Sequence, residues 1–289
     1  MTTITAFATP VHADTAGVER VFLERSAISA ADDACNLFTD GERFALKAGL
    51  YQSEDELLRA NYSQTKIDDT AADVRAHAKS LGCDHPSIRD AAATVRSSYR
   101  QFAKTNYLEY NGSHGVWRAS RVDGDQWALS EPDKQTGAIF GLRRNGDEAH
   151  KLRLAVAIPE SDTTASAAQL YIRDPAKLNE PWLGTLFGSN GQLSPPPRSM
   201  TTPVWASETD SEDDITGNTY QVYYFSNDAI QRISALDPRE AVLLELTPDP
   251  RAANQKPVRI AFEVGDFRAA MNFVQIPQQK YSASMDNDH

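Results

Sequence analysis

Cysteine is the scarcest residue of this chain, with two copies in 289 residues. So few cysteines exclude a small scaffold held together by several disulfides, and they exclude a zinc site built from four thiolates. The chain also lacks any run of 18 or more apolar residues, so the sequence predicts no transmembrane span.

Basic residues are outnumbered by acidic ones, 29 against 40, which gives a net charge of −11. Nucleic acids and anionic lipids are attracted by positively charged surfaces. The charge therefore argues against a nucleic-acid partner and against an anionic lipid surface. Apolar residues make up 40% of the chain and charged residues 24%, which is typical of a globular protein with a buried core.

Catalytic signatures are missing as well. The sequence contains no Gly-x-Ser-x-Gly elbow, no His-Glu-x-x-His pair, no Walker loop and no dinucleotide-binding glycine pattern. One formal match is Ser63-Gln64-Thr65-Lys66, the Ser-x-x-Lys spacing in which a lysine helps to deprotonate a serine nucleophile. The Ser-Asp-Asn and Lys-Thr-Gly elements that accompany it are not present, so we interpret the match as chance.

The N-terminal residues MTTITAFATPVHADT resemble the end of a secretory signal. Val11 and Ala13 occupy the −3 and −1 positions of a small-residue cleavage site, although the apolar part is short and no basic region precedes it. We interpret residues 1–25 as a signal-peptide remnant and a linker. The alternative is an ordinary disordered N-terminus, and the protein would then be cytoplasmic.

Residues 26–105 have the 3.6-residue hydrophobic period of helices. Ser26 or Ser29 is predicted to cap the first helix, and a Thr-x-x-Glu capping box at Thr39 opens the second. The third helix carries the most regular apolar stripe and is predicted to end at Gly82. Four helices with short connections must pack as an antiparallel bundle to bury these stripes.

Cys35 and Cys83 are predicted to form a disulfide. In an up-down-up arrangement the first and third helices run parallel, so cysteines near their C-terminal ends reach the same level of the bundle. Their Cα atoms should then lie within about 4.4–6.8 Å of each other. Such a bridge would contribute about 2–4 kcal/mol of stability and would place the protein in an oxidising compartment. The alternative is two buried free thiols.

The hydrophobic period changes to two residues at 107–275, which predicts an antiparallel sheet with one buried face. Trp117 and Trp127 fall on that predicted buried face. Two short helices, capped by Asp228 and Asp266, are predicted to interrupt the strands. The predicted fold class is therefore α+β, with an N-terminal antiparallel helical bundle followed by a mainly antiparallel β domain.

Residues 184–218 are predicted to form a long irregular loop, because they contain two glycines close together, three consecutive prolines and a run of acidic residues. That run has carboxylates for calcium but not the spacing of a calcium loop, so we interpret it as solvated. Its members are Glu208, Asp210, Glu212, Asp213 and Asp214. The tail at 276–289 is polar and is predicted to be disordered.

Five short features carry a resemblance to a known group of proteins. They are Cys-Asn-Leu-Phe at 35–38, Leu-Leu-Arg-Ala at 57–60, a cysteine at 83, Trp-Arg-Ala-Ser-Arg at 117–121 and Trp-Ala-Leu at 127–129. In this spacing, over residues 35 to about 130, the chain resembles uncharacterised exported proteins of alphaproteobacteria. The resemblance implies a periplasmic location and a helical domain followed by a β domain, and it implies no activity.

His114 is the one weak candidate for a catalytic residue. It lies between glycines in the loop Asn-Gly-Ser-His-Gly at 111–115, where an accessible imidazole could act as a general base or a metal ligand; the alternative is a solvated turn residue. No two histidines have ligand spacing, so we expect no metal site and no cofactor. Arg118 and Arg121 fall on opposite faces of a strand and should not form one anion clamp.

These observations favour a non-catalytic exported protein that acts as a binding or assembly module in the periplasm or envelope. Its partner would be an envelope protein or a surface component, and the sequence does not indicate an oligomeric state. The alternative is a hydrolase whose triad is assembled from distant loops, which spacing along the chain does not exclude.

Overall fold

The computed structural model describes residues 15–145, 148–160, 165–184, 193–213, 217–248 and 256–278. Four helices precede every strand, and all strand pairings within these ranges are antiparallel, which confirms the α+β prediction. The helices are α1 Thr15–Cys35, α2 Asp40–Arg59, α3 Gln64–Leu81, α4 Pro86–Phe102, α5 Asn227–Ser234 and α6 Phe267–Val274. None of these described helices is both long enough and apolar enough to cross a membrane.

The strands form two sheets. Their bounds are β1 Tyr107–Asn111, β2 Val116–Ser120, β3 Trp127–Pro132, β4 Ile139–Asn145, β5 Glu148–Pro159, β6 Ala165–Arg173, β7 Thr201–Trp205, β8 Glu208–Asp213, β9 Thr219–Tyr224, β10 Ala241–Pro248 and β11 Val258–Glu263. Seven strands pair in the order β1-β2-β3-β4-β5-β9-β8, and four pair in the order β11-β10-β6-β7.

Helix α1 begins at Thr15, so the prediction that it starts at Ser26 or Ser29 is wrong. Val18 and Phe22, four residues apart, lie on one side of the helix and pack in a cluster that contains Leu57 of α2. Because these apolar side chains are buried, the helix is stable across residues that the sequence analysis assigned to a linker. Residues 1–14 lie outside the described part of the chain, so the signal-peptide remnant stays a prediction.

Helices α2 and α3 begin and end as their cap residues predict. Thr39 accepts a hydrogen bond from the backbone N–H of Glu42, whose carboxylate accepts one from the Thr39 backbone, so the capping box is confirmed. Gly82 follows α3 with a φ of 79°, a backbone conformation that glycine adopts at little cost.

The disulfide between Cys35 and Cys83 is confirmed. Cys35 is the last residue of α1 and Cys83 follows the C-cap of α3, and their Cα atoms lie 5.5 Å apart. Helices α1 and α3 pack against each other along their length, which brings the two C-terminal ends to the same level. The bridge therefore holds the end of the first helix to the end of the third.

The two sheets share one hydrophobic core with four helices, α2, α4, α5 and α6. One face of the seven-stranded sheet contributes Trp117, Phe140 and Leu154, and the four-stranded sheet contributes Leu170 and Leu244. Helices α5 and α6 pack into this core, and α2 contacts α6. The helical bundle is thus joined to the β structure through α2 and α6.

Buried arginine–aspartate hydrogen bonds reinforce this contact between α2 and α6. Asp266 is the N-cap of α6 as predicted, but its side chain makes no capping hydrogen bond and instead accepts one from Arg59 at 2.7 Å. Arg268 of α6 contacts Asp55 of α2 at 2.9 Å. Asp228, the other predicted cap, lies within the first turn of α5, whose N-cap is Ser226.

The loop predicted at 184–218 is partly regular structure. The range contains a 3₁₀ turn at Arg198–Met200 and the strands β7 and β8, while 185–192 and 214–216 lie outside the described residues. Strand β8 was hidden by its acidic composition, because an edge strand with charged side chains looks like a solvated loop in sequence. Ile276 is buried, so the predicted disordered tail begins too early; 279–289 lie outside the described part.

Candidate functional site

Trp117 and Trp127 lie on opposite faces of the seven-stranded sheet, so the prediction that they share the buried face is wrong. Trp117 pairs with Tyr110 and is buried in the core, whereas Trp127 pairs with Arg143 on the other face. The register of β3 against β4 shifts between Trp127 and Leu129. This bulge inserts one extra residue and reverses the alternation of side chains that precedes it.

The face that carries Trp127 is concave. In a flat sheet with strands about 4.8 Å apart, β1 and β8 would be separated by about 29 Å. Here Tyr107 of β1 and Glu212 of β8 line the same cavity, so the sheet curls around it. Small side chains on the inner strands, among them Ala155 and Ala157 of β5, are fully or almost fully buried under this curvature.

We call this concavity the sheet groove; it has a volume of about 560 Å³. That volume is within the range of roughly 300–1,000 Å³ that is usual for small-molecule sites. Its lining comprises Tyr107, Arg118, Ser120, Gly124, Asp125, Gln126, Trp127, Ser130, Ile139, Arg143, Ala157, Glu212, Asp213, Tyr220 and Val222. Every one of the seven strands contributes to it.

An ion pair between Arg143 of β4 and Glu212 of β8 closes one side of the groove. Two guanidinium nitrogens of Arg143 donate to the two carboxylate oxygens of Glu212 at 2.7 and 2.5 Å. The same guanidinium donates to Tyr224 at 3.0 Å and to Gln126 at 3.0 Å, and it lies 5.2 Å from the ring centre of Trp127. Hydrogen bonding from Arg143 lowers the pKa of Glu212 despite its partial burial. Glu212 is therefore ionised and fixed in place.

Several polar groups of the groove have no protein partner. Within the described part of the chain, the hydroxyls of Ser130 and Tyr220, the indole N–H of Trp127 and the amide nitrogen of Gln126 make no hydrogen bond. Ser120, by contrast, donates its hydroxyl to Asp125. The groove thus offers unpaired donors and acceptors beside aromatic and aliphatic surface, which is the usual composition of a ligand site.

His114 lies outside the groove, and its imidazole is exposed and makes no hydrogen bond within the described residues. The loop that contains His114 instead binds a carboxylate through its backbone. The N–H groups of Ser113, His114 and Gly115 donate to the carboxylate of Glu263 at 2.7–2.9 Å. A side chain at Gly112 would collide with that carboxylate, so glycine is required there. Among the residues that the structure describes, the His114 imidazole has no hydrogen bond to a serine or a carboxylate, as a hydrolase triad would require.

A second buried carboxylate, Glu131, lies beside Glu263. One of its oxygens accepts from the backbone N–H of Glu263 at 3.3 Å, and the other is buried without a partner. Burial raises the pKa of Glu131 to about 8. This pair links β3 of one sheet to β11 of the other on the core side, away from the groove.

The acidic run predicted to be a solvated loop forms ion pairs along β8. Glu208 contacts Arg153 at 2.5 Å, and Glu212 contacts Arg143. Asp214 lies outside the described residues. Among the residues that the structure describes, no group of three or more His, Cys, Asp or Glu is placed to hold a metal ion.

The remaining sequence candidates have separate positions. Arg118 lines the groove and pairs with Glu109 at 3.4 Å, whereas Arg121 is buried and donates to four backbone carbonyl groups. The two arginines therefore lie on opposite faces, as their alternation predicts. Ser63 of the Ser-x-x-Lys match is the N-cap of α3 and accepts from the backbone N–H of Lys66, which is a structural role.

Sequence reasoning missed Arg143, Glu212 and Tyr220 as groove residues. Arg143 alternates with the core residue Leu142, so its outward direction could have been read from the pattern. Its partner could not, because Glu212 is 69 residues away and its strand was taken for a loop. No protein-family model matches the chain, and no curated protein or solved structure is significantly similar to it.

Proposed function

We propose that this protein is a non-catalytic exported binding module that holds a small ligand in the sheet groove. The observation that carries the proposal is the groove itself. It combines a volume of about 560 Å³ with aromatic walls and with polar groups that have no protein partner. A face that served only to pack would be filled by its own side chains.

The chemistry of the groove supports binding rather than hydrolysis. Its lining residues include no histidine, lysine or cysteine, and the one serine with a carboxylate beside it, Ser120, is bonded to Asp125 without the imidazole of a hydrolase triad. A glycosidase needs a carboxylic acid whose pKa is raised so that it can donate a proton. Glu212, which Arg143 holds ionised, has the opposite property.

The disulfide supports the exported location. A bridge between Cys35 and Cys83 persists in an oxidising compartment and is rare in the cytosol, where thiols are kept reduced. The bridge supports an oxidising compartment, and we propose that this compartment is the periplasm or envelope. Fractionation of the source cells tests this part of the proposal, because recovery of the protein with cytosolic markers would contradict it.

The binding function is tested by incubating the purified protein with a small-molecule extract of the cell envelope and recording native mass spectra. We expect a bound species that is lost in Trp127→Ala, because the indole forms part of the groove wall. Trp205→Ala is the matched control, since Trp205 is 57% exposed on the four-stranded sheet and should not affect binding.

Two results would contradict the proposal. One is the absence of any bound species in the wild-type protein. The other is a species that both tryptophan variants retain equally, because that ligand would bind outside the groove.

A further inference from the structure

We infer that the ligand of the sheet groove is a neutral saccharide that places a sugar ring against the Trp127 wall. The inference rests on the proposed binding function and adds the chemical class of the ligand. Three properties of the groove carry it: its two arginines are already paired with carboxylates, its walls are aromatic, and it has neutral polar groups without a protein partner.

The two arginines of the groove are paired with carboxylates, whereas Asp125 and Asp213 of its lining accept hydrogen bonds from the hydroxyls of Ser120 and Thr219. Arg143 gives two hydrogen bonds to Glu212 and a third to the Tyr224 hydroxyl, so its positive charge is not free for an anion. Arg118 is paired with Glu109 at the groove edge. An anionic ligand would have to displace one of these carboxylates, and the net charge of −11 would further repel it.

At the Trp127 wall, a cationic ligand is disfavoured by the same arginine. The guanidinium of Arg143 already lies 5.2 Å from the centre of the Trp127 ring, where a ligand cation would otherwise bind. A second cation at this wall would be repelled by Arg143. Trp127 is half-buried, so part of its surface remains for a ligand ring.

The aromatic and aliphatic surface suits the apolar face of a sugar ring. Trp127 and Tyr220 are half-buried at the groove, and Ile139, Ala157 and Val222 form its apolar base. The C–H groups on one face of a pyranose pack on such surface, while its hydroxyls point sideways. Amphipathic side chains such as Trp and Tyr serve ligands that have both characters.

Apart from the buried Nε of Arg143, the unpaired polar groups described above are neutral. The hydroxyls of Ser130 and Tyr220 can both donate and accept, and the Gln126 amide nitrogen and the Trp127 N–H can donate, so together they match the dual character of sugar hydroxyls. A purely apolar ligand such as a fatty acyl chain would desolvate these groups without replacing their hydrogen bonds to water. That loss makes the acyl chain the poorer occupant.

Isothermal titration with defined probes tests the inference. The neutral probes are trisaccharides of glucose, mannose and N-acetylglucosamine; trigalacturonate represents anionic saccharides and dodecanoate represents acyl chains. We expect at least one neutral trisaccharide to bind. Its affinity should be the same in titrations at about 50 and about 500 mM NaCl, because salt does not screen the binding of an uncharged ligand. Trp127→Ala should weaken binding by about tenfold or more, and Trp205→Ala should not.

Each other outcome overturns the inference. Binding of trigalacturonate or dodecanoate without binding of a neutral trisaccharide would keep a binding module but change its ligand class. Failure of every probe, while envelope extract still gives a bound species that depends on Trp127, would also reject a neutral saccharide. Failure of the probes and of the extract together would reject the binding function itself.

Discussion

The two faces of the seven-stranded sheet differ at the centre of the sheet, where small side chains leave room for the groove. The core face carries Trp117, Phe140 and Tyr223, each at most 1% exposed. On the groove face the central strands β4 and β5 carry Gly141 and Ala155, while the larger Trp127 and Tyr220 lie on the flanking strands β3 and β9. One backbone can therefore give a filled face and an open face, and side-chain volume decides which face can take a ligand.

Trp117 and Trp127, one on each face, differ in how completely the protein surrounds them. The indole N–H of Trp117 donates to the Val264 carbonyl at 2.9 Å, and its ring contacts Phe140 and Phe267. Trp127 is half-buried, and its indole N–H makes no hydrogen bond within the described part of the chain. Both the ring and the indole N–H of Trp117 thus contribute to the fold, whereas the indole N–H of Trp127 is available to a ligand.

The pKa values of the carboxylates on the two faces are shifted in opposite directions. On the core side, burial raises the pKa of Glu131 to about 8. On the groove side, hydrogen bonding from Arg143 lowers the pKa of Glu212, and that from Arg153 lowers the pKa of Glu208. The core side therefore favours a neutral acid, while the groove side holds charges that are paired.

Replacing Trp117 or Trp127 by alanine should give the largest difference in stability between a change on the core face and a change on the groove face. Trp117→Ala leaves a cavity in the core and removes one of the two hydrogen bonds that the Val264 carbonyl accepts, so we expect a loss of about 3–5 kcal/mol in the free energy of unfolding. Trp127→Ala should cost about 1 kcal/mol, because its ring already borders the open groove. Urea denaturation of both variants measures the difference.

A control for this contrast is Trp205→Ala, which removes an exposed ring from the other sheet and should change stability least. Equal losses in Trp117→Ala and Trp127→Ala would show that both faces are packed alike. The groove would then be a closed part of the core, and the proposed site would be lost with it.

The pH dependence of stability should reveal the core-side carboxylate. Between pH of about 4.5 and 8 the folded protein keeps a proton on Glu131 that the unfolded chain has lost. The free energy of unfolding should therefore fall as pH rises through this window, by up to about 1.4 kcal/mol per pH unit from this residue, and the fall should end above pH of about 8. Glu131→Gln, which does not titrate, should have a shallower slope in urea titrations at each pH.

Two other residues contribute to that slope in the same direction. Burial raises the pKa of both Asp55 and Asp266 at the α2–α6 contact, so part of the slope should remain in Glu131→Gln. Glu24→Gln, at an exposed position of α1, is the control. A Glu131→Gln variant with the slope of the wild-type protein would mean that Glu131 is ionised in the fold.

The sequence predicted features that depend on local chemistry or on a long regular period. The Thr39 capping box, the end of α3 at Gly82 and the bridge from Cys35 to Cys83 are of this kind. A cap needs only neighbouring residues, and the bridge needs only the direction of successive helices. The burial of Trp117 followed in the same way from strand alternation.

The features that could not be predicted depend on contacts between distant segments. A single-residue bulge reverses the face of Trp127, and alternation alone contains no signal for it. Glu212 looks solvated in sequence, because its partner Arg143 comes from a strand far away in the chain. The groove exists only when both are brought together, so neither its position nor its lining was accessible to sequence reasoning.

A smaller effect on stability than that of Trp117→Ala is expected at the ion pair that closes the groove. Glu212→Gln keeps the shape of the side chain but removes the charge that neutralises Arg143, so we expect a loss of roughly 1–2 kcal/mol at pH 7. As pH falls through the lowered pKa of Glu212, the wild-type protein should lose the same contribution, because the unfolded chain takes up its proton at a higher pH. Thermal unfolding at several pH values measures both effects.

Glu208→Gln is the matched control, because it removes a charge from the same strand at a more exposed ion pair, and its effect on stability should be smaller. The two variants should also differ in binding. Only Glu212→Gln leaves Arg143 uncompensated beside Trp127, so it alone should gain affinity for trigalacturonate. If Glu208→Gln gained the same affinity, the paired state of Arg143 would not be what excludes anions from the groove, since a general reduction of negative charge would be sufficient.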